Sequence, residues 1–413
     1  METNEKKYAW YALGAVLGLV ALFFVGLEVN NWWSAKEETA QRKETYQQTL
    51  ATLRQACRYA DSVGIDTSRY AAVTGEDADR LTTRLADLML ELRYGKKSSQ
   101  LAFDGLKKKE KVDSSAVQAA AEREVETAGF SPASLQGANQ LAPYNQLVSE
   151  YNRLRRRPET ASLTDSLRLV RQTLNFYRYI NRFDLEKFVV VNIPAAELNV
   201  FDQTGKRLLP MRVIVGRADK QTPLMATYIT GIIAYPYWNV PESIALNEML
   251  PKMQRDLSFI YNQNLQVLDA KNQEVDPEEI DWQSLSETNF PYRIRQASGC
   301  DNSLGLLKFD LANPLAIYLH DTNSRDLFTA TSDHWRSHGC VRVQKPVELA
   351  NLVLGKPVFD ASFMNKCLID QKPKPLTIPK QVPVFITYNI ADVDASGKLR
   401  FYKDVYAMNK KAL

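Results

Sequence analysis

The stretch Thr331–Val343, TSDHWRSHGCVRV, holds two of the chain's three histidines and one of its four cysteines. A thiol attacks as the thiolate, and at an ordinary pKa of about 8.5 only a few per cent is ionised near neutrality. Cys340 as a nucleophile therefore needs a base within hydrogen-bond reach, and an attacked carbonyl needs donors for its oxyanion. The backbone N–H groups of Gly339 and Cys340 are the candidate oxyanion hole, with Ser337 and His338 supporting the motif. Gly339 permits close approach of a substrate, and Arg342 offers a fork for a carboxylate.

Two histidines compete as base: His338, two residues before the cysteine, and His320, which ends the apolar strand LAIYLHD. A strand end facing a cleft has its rotamer fixed by the sheet, so His320 is preferred. Asp321 follows it, but strand alternation sends that side chain to the opposite face, leaving a backbone carbonyl to orient the imidazole. Tyr318 and Trp238 are assigned to the groove wall as substrate contacts. His334 and His338, four apart, would suit a metal on a helix; Gly339 weakens a helix there and no further cluster completes the set. No metal or organic cofactor is expected. Cys300 is read as a structural or incidental thiol, and Cys57 and Cys367 as packing residues.

These residues need a scaffold. From about Lys36 to Arg182 the apolar spacing is helical, as in TYQQTLATLRQACRYADSVGI and DADRLTTRLADLMLELRYGKK, with a later helix capped at Thr164 or Asp165. At Lys187 the period changes to two, and KFVVVNIPAAELNVFDQTGKRLLPMRVIVG predicts strands with a turn at Thr204–Gly205. A helical insertion over about 241–290 is predicted to act as a lid. A Pro-rich linker then leads to a final hairpin turning at Ser396–Gly397.

The N-terminal run Tyr8–Leu27 has twenty residues without a charge, and as a helix it would be about 30 Å long. Preceded by Lys6 and Lys7 and without a cleavage site, it predicts one uncleaved transmembrane helix, with the rest of the chain outside the cytoplasm. The net charge of +4, from 52 Lys+Arg against 48 Asp+Glu, excludes the strongly basic class that binds nucleic acid.

His320, sixteen residues, then Ser337-His338-Gly339-Cys340-Val341-Arg342 resembles the signature of YkuD-type L,D-transpeptidases. VVNIPAAELNVF, RVIVGRADKQTP and PYRIRQASGCDNSLGLLKF are similar to strand segments of the family's longer, periplasmic, membrane-anchored branch. The flanks ADSVGIDTSRY and VPVFITYNIADVDASGKLRFYKDVYA are similar to the scaffold of that branch. One departure is that Leu147–Tyr179 leaves no room for the Gly-rich wall-binding module often found there.

The resemblance implies an α+β chain: stub and anchor at 1–35, a mainly helical scaffold at 36–186, a β-rich catalytic domain at 187–360 with the lid, and linker plus hairpin at 361–413. It implies acyl transfer through a Cys340 thioester. A tetrapeptide donor stem of peptidoglycan is attacked, D-alanine leaves, and a diaminopimelate amine of an acceptor stem closes a 3-3 cross-link. It places the protein in the inner membrane with the catalytic domain in the periplasm, near other wall-synthesis proteins, and makes Cys340 a target of carbapenems. Capture of the thioester by water or a free D-amino acid, or a non-catalytic wall scaffold, are the alternatives that the residues leave open.

Overall fold

The computed structural model describes residues 2–73, 75–109, 114–135, 141–365 and 371–409. It divides into two compact units, residues 1–93 with 113–137 and residues 94–112 with 138–413. The first is helical: α1 (Glu2–Ser62), α2 (Ala78–Tyr94) and α3 (Ser114–Glu126). Leu53, Ala56 and Ala60 on α1, Leu81, Leu85 and Leu88 on α2, and Val117 and Ala121 on α3 are buried at helical spacing. α1 stops where Gly64 turns to a positive φ of 79° and Ile65 N–H bonds back to Ala60 O at 2.9 Å.

The expected membrane anchor is not supported. Among the described residues no helix is long and apolar enough to cross a membrane. The apolar run forms no element of its own but opens the 61-residue helix α1, whose remainder is rich in charge. The side chains at positions 8, 9, 11–13, 15, 16 and 20 of that run lie outside the described residues. The single-pass inner-membrane placement, and the membrane as a partner through this helix, fall with the anchor.

In the second unit, α4 (Ala142–Arg155) and α5 (Ala161–Ile180) lie with the strands. α5 begins a turn earlier than the sequence suggests, because the Thr160 hydroxyl accepts the Leu163 N–H at 3.1 Å and so caps it.

Nine strands position the site: β1 (Lys187–Asn192), β2 (Glu197–Asp202), β3 (Arg207–Gly216), β4 (Met225–Ala234), β5 (Leu307–Leu311), β6 (Leu319–His320), β7 (Trp335–Ser337), β8 (Val341–Val343) and β9 (Val382–Thr387). They lie in an 11-stranded sheet along the path β4-β5-β6-β8-β3-β2-β1-β9, with β7 beside β3. β9 also pairs with β4, so the path closes on itself. β1 explains why KFVVVN does not alternate: Val189 and Val191 enter the core between the strands, while Phe188 and Val190 pack with α4 and α5. α6 (Pro346–Leu354) covers the inner core with Val347, Leu349, Ala350 and Val353, and ends at Gly355 with φ 70°.

The insertion is mixed rather than helical. Short helical turns over 242–262 lead into a four-stranded sheet that joins Trp238–Asn239, Arg293–Gln296, Leu265–Leu268 and Glu274–Val275. It has its own core, including Met253, Ile260, Val267, Trp282 and Ile294. The second half of the insertion supplies strands rather than helix, because Leu265 and Val267 pair with Arg293–Gln296 and bury. The C-terminal hairpin Ala391–Val393 with Leu399–Phe401 packs under α5, where Thr173 donates to Ala391 O at 2.5 Å and Tyr177 donates to Asp392 at 3.0 Å.

Phe385 on β9 ties these layers together, with its ring 6.1 Å from Phe176, 5.6 Å from Phe183 and 6.2 Å from Phe188. Phe385→Ala removes the shared ring from a fully enclosed position. It should destabilise the unit by about 3–5 kcal/mol, read as a lowered urea midpoint.

Candidate active site

β6 is two residues long and is fixed from both sides. Lys308 on β5 pairs with His320 antiparallel, and Arg342 on β8 pairs with His320 in parallel. One step back, Leu319 pairs with Val341, whose N–H bonds to Tyr318 O at 3.2 Å, so Cys340 lies beside Tyr318. Alternation buries Leu319 in the core and sends Tyr318 and His320 to one face, with Lys308 and Asp310 from β5 and Cys340 and Arg342 from the β8 side.

The end of β6 is pinned by its next residue. Asp321 is completely buried, accepts the Leu306 N–H at 2.8 Å, and pairs with Arg325 through Nε at 3.0 Å and Nη2 at 2.5 Å. Gly305 makes this possible, since a Cβ there would stand 2.2 Å from Asp321 Oδ2. The carboxylate thus braces the strand from below, and His320 projects the other way.

The Cys340 thiol points at Ala316 O, 3.7 Å away, and touches the Tyr318 hydroxyl, which the Trp238 indole also reaches. Burial pushes the thiol pKa up, against the opposing pull of Tyr318's hydrogen bonds and the Lys308 charge. The His320 ring is buried, with its centroid 5.7 Å from that of Tyr318. Burial, with the positive charges of Arg342 and Lys308, drives its pKa down to about 3, against a bond with the Asp321 backbone. Its Nδ1 has no hydrogen-bond partner among the described residues. Burial also raises the Tyr318 phenol, helped by the adjacent thiol, so it stays protonated and able to donate.

The remaining motif residues divide by direction. Ser337 is buried, donates to Cys340 O at 2.6 Å and accepts the Gly339 N–H at 3.2 Å. Gly339 N–H is therefore engaged, and Cys340 N–H is the one of the two with no acceptor among the described residues. Gly339 has φ 120°, a conformation that side-chain-bearing residues rarely adopt. His338 faces the insertion, its Nε2 lying 2.9 Å from Glu248 Oε1 and 3.4 Å from Arg217 Nη1. Arg342 is mostly enclosed, burial lowers its pKa, and no carboxylate pairs with it among the described residues. Its side chain flanks His320. His334 and His338 are separated by the extended strand β7, so they do not share one helical turn.

Three contributors escaped the sequence reading. Lys308 sits 4.7 Å from the Tyr318 ring and pairs with Asp310 at 2.6 Å. Thr222 bonds to Gly339 O at 2.7 Å, and Glu248 holds His338. The alternation of LKFD was the available sign for Lys308; the other two depend on contacts between distant segments. Cys300 is disulfide-bonded rather than a thiol, Cys57 and Cys340 are free, and Cys367 lies outside the described residues.

Burial raises the thiol and depresses the imidazole, so each rests neutral. Alkylation of Cys340 by iodoacetamide should rise with pH through and beyond the ordinary thiol range; a plateau at mildly acidic pH would instead reveal a thiolate–imidazolium pair. The depressed His320 value also links stability to pH. The unfolded imidazole takes a proton near pH 6.5 and the folded one only near 3, so its contribution is complete above 6.5 and lost as pH falls towards 3. The urea midpoint should decline through that window, and His320→Gln should flatten the decline.

Residues 186–369 match the family model YkuD, described as the L,D-transpeptidase catalytic domain. A Haemophilus influenzae protein whose name proposes an L,D-transpeptidase is 33% identical over 278 residues, covering 67% of this chain and 54% of its own length. The chain thus spans about half of that relative. Among solved structures, an L,D-transpeptidase from Mycobacterium smegmatis aligns at 11% identity and TM-score 0.21, over 50% of this chain and 60% of that one. The catalytic domain of an E. faecium L,D-transpeptidase acylated by ertapenem aligns at 10% identity and TM-score 0.22, over 47% and 98%. At such scores the superpositions carry no argument. The family match encloses β1 to β8 with His320 and Cys340, and the chain therefore carries a YkuD-type L,D-transpeptidase catalytic domain.

Proposed function

We propose that the chain is a peptidoglycan L,D-transpeptidase that forms 3-3 cross-links through a Cys340 thioester. The observation that supports this most is the parallel pairing of β6 with β8, which sets Cys340 beside Tyr318 and Arg342 beside a neutral, buried His320. A neutral imidazole can take a proton, and an imidazolium held in this field gives it up readily.

On this reading Arg342 receives the terminal carboxylate of a tetrapeptide donor stem, with Tyr318 and Trp238 along the groove. The Cys340 sulfur attacks the carbonyl of the third, L-centred residue as His320 takes the thiol proton, because neither group is ionised beforehand. Cys340 N–H and the Tyr318 hydroxyl are the donors placed for the oxyanion. Collapse breaks the amide, His320 returns its proton to the departing D-alanine amine, and a thioester remains. A diaminopimelate side-chain amine of an acceptor stem then attacks, its proton passes to His320, and the thiol is released.

The test is intact-mass and product analysis with a disaccharide-tetrapeptide. Wild type should gain a covalent adduct that has lost D-alanine and should yield cross-linked dimers, whereas Cys340→Ala should give neither. An adduct with tripeptide as the only product would establish a carboxypeptidase instead, and exchange of the terminal residue would appear only with added D-amino acid. A folded wild type with no adduct would overturn the acyl-transfer reading in favour of a wall-binding scaffold.

A further inference from the structure

The thiol's backbone is held by a residue outside the Ser-His-Gly-Cys motif. Thr222 is 2% exposed and closes the turn that follows β3. Its hydroxyl accepts the Gly216 N–H at 2.8 Å and donates to Gly339 O at 2.7 Å. Gly339 O and Cys340 N–H belong to one planar trans peptide and point in opposite directions. Anchoring the oxygen therefore fixes the direction of the N–H. Ser337 holds the other side of the residue through Cys340 O at 2.6 Å, so the Cys340 backbone is clamped at both ends.

Thr222 is in turn held from the C-terminal segment. Tyr406 donates its hydroxyl to Gly216 O at 2.5 Å and accepts the Thr222 N–H at 3.3 Å. Its ring is buried and stacks on Tyr388 at 5.6 Å, and the Tyr388 hydroxyl accepts the Tyr406 N–H at 2.7 Å while donating to Asp404 at 2.6 Å. The turn is too tight for a side chain at its start, where a Cβ on Gly216 would stand 2.1 Å from Lys220 O. The hydroxyls of Tyr388, Tyr406 and Thr222 on the route from Asp404 to Gly339 thus each donate one hydrogen bond and accept one.

We infer that Thr222 is a positioning residue for acyl transfer, which aims the Cys340 N–H at the oxyanion, and that Tyr406 makes the C-terminal segment part of this device. The inference rests on the acyl-transfer reading above. It separates two reactions of the same thiol. Alkylation by iodoacetamide displaces iodide and develops no oxyanion, whereas acetylation by p-nitrophenyl acetate passes through a tetrahedral oxyanion before nitrophenolate leaves.

Both rates would be followed by intact mass on the full chain for wild type, Thr222→Val, Thr222→Ser and Tyr406→Phe. Thr222→Val should slow acetylation about 10- to 100-fold while alkylation keeps its wild-type rate. Thr222→Ser should restore acetylation, and Tyr406→Phe should reduce it selectively by a smaller factor. Tyr406→Phe carries the same test if Thr222→Val folds poorly. Unchanged acetylation in Thr222→Val, or an equal fall in both reactions that serine does not rescue, would overturn the positioning role. A wild type that is alkylated but never acetylated would overturn the acyl-transfer reading, and this inference with it.

Discussion

The register of a two-residue strand decides what faces the cleft. Leu319 and His320 alternate, so a slip of one position in β6 would put the leucine among the reactive groups and the imidazole in the core. The strand is too short for its own ladder to prevent this. What prevents it is the burial of Leu319 in the inner core and the carboxylate of Asp321, which is locked to Arg325 and the Leu306 N–H. The charge next to His320 thus acts through the backbone, as a peg for the strand end, and among the described residues the imidazole has no carboxylate partner.

That absence shapes the electrostatics. His320 stands between Lys308 and Arg342 on neighbouring strands, and both cations disfavour its protonation. Lys308 is partly neutralised by Asp310, at 2.6 Å, while Arg342 has no such partner among the described residues. An anion arriving beside Arg342 would offset the positive field and let the imidazole hold a proton more easily. On the proposed reading, a substrate carboxylate at Arg342 would therefore favour proton uptake by His320 through Coulomb interaction.

The candidate thiol and candidate base can be named from sequence, and the strand-rich domain is legible there, because the signals are local: a motif of six residues, a histidine at the end of an apolar run, and a change of period at Lys187. What the sequence hid is non-local or competitive. Thr222 and Gly339 are 117 residues apart, and Tyr406 lies 184 residues beyond Thr222, so no spacing announces their contact. The start of α5 was misread by one turn because Thr160, Thr164 and Asp165 are all good caps, and only the chain's entry path selects among them. The insertion was read as helical from its first half, whereas its second half pairs into a small sheet. The apolar N-terminal run looked like a span when taken by itself, but it is continuous with a long polar helix.

His338 shows how a motif residue can be recognised without its role being known. By spacing alone it competes with His320 for the proton of Cys340. The structure turns its ring away, to Glu248 on the insertion and Arg217 beyond β3. Its backbone still belongs to the turn whose next residue, Gly339, takes φ 120° and offers its carbonyl to Thr222. The turn that carries Cys340 is therefore tied through adjacent residues to two different parts of the same unit: through the His338 side chain to the insertion, and through the Gly339 carbonyl and Thr222 to the C-terminal segment. A short loop carries no core of its own and would otherwise sample many backbone orientations. Tethers to distant parts of the chain restrict that sampling, as the proposed oxyanion donor at Cys340 N–H would require.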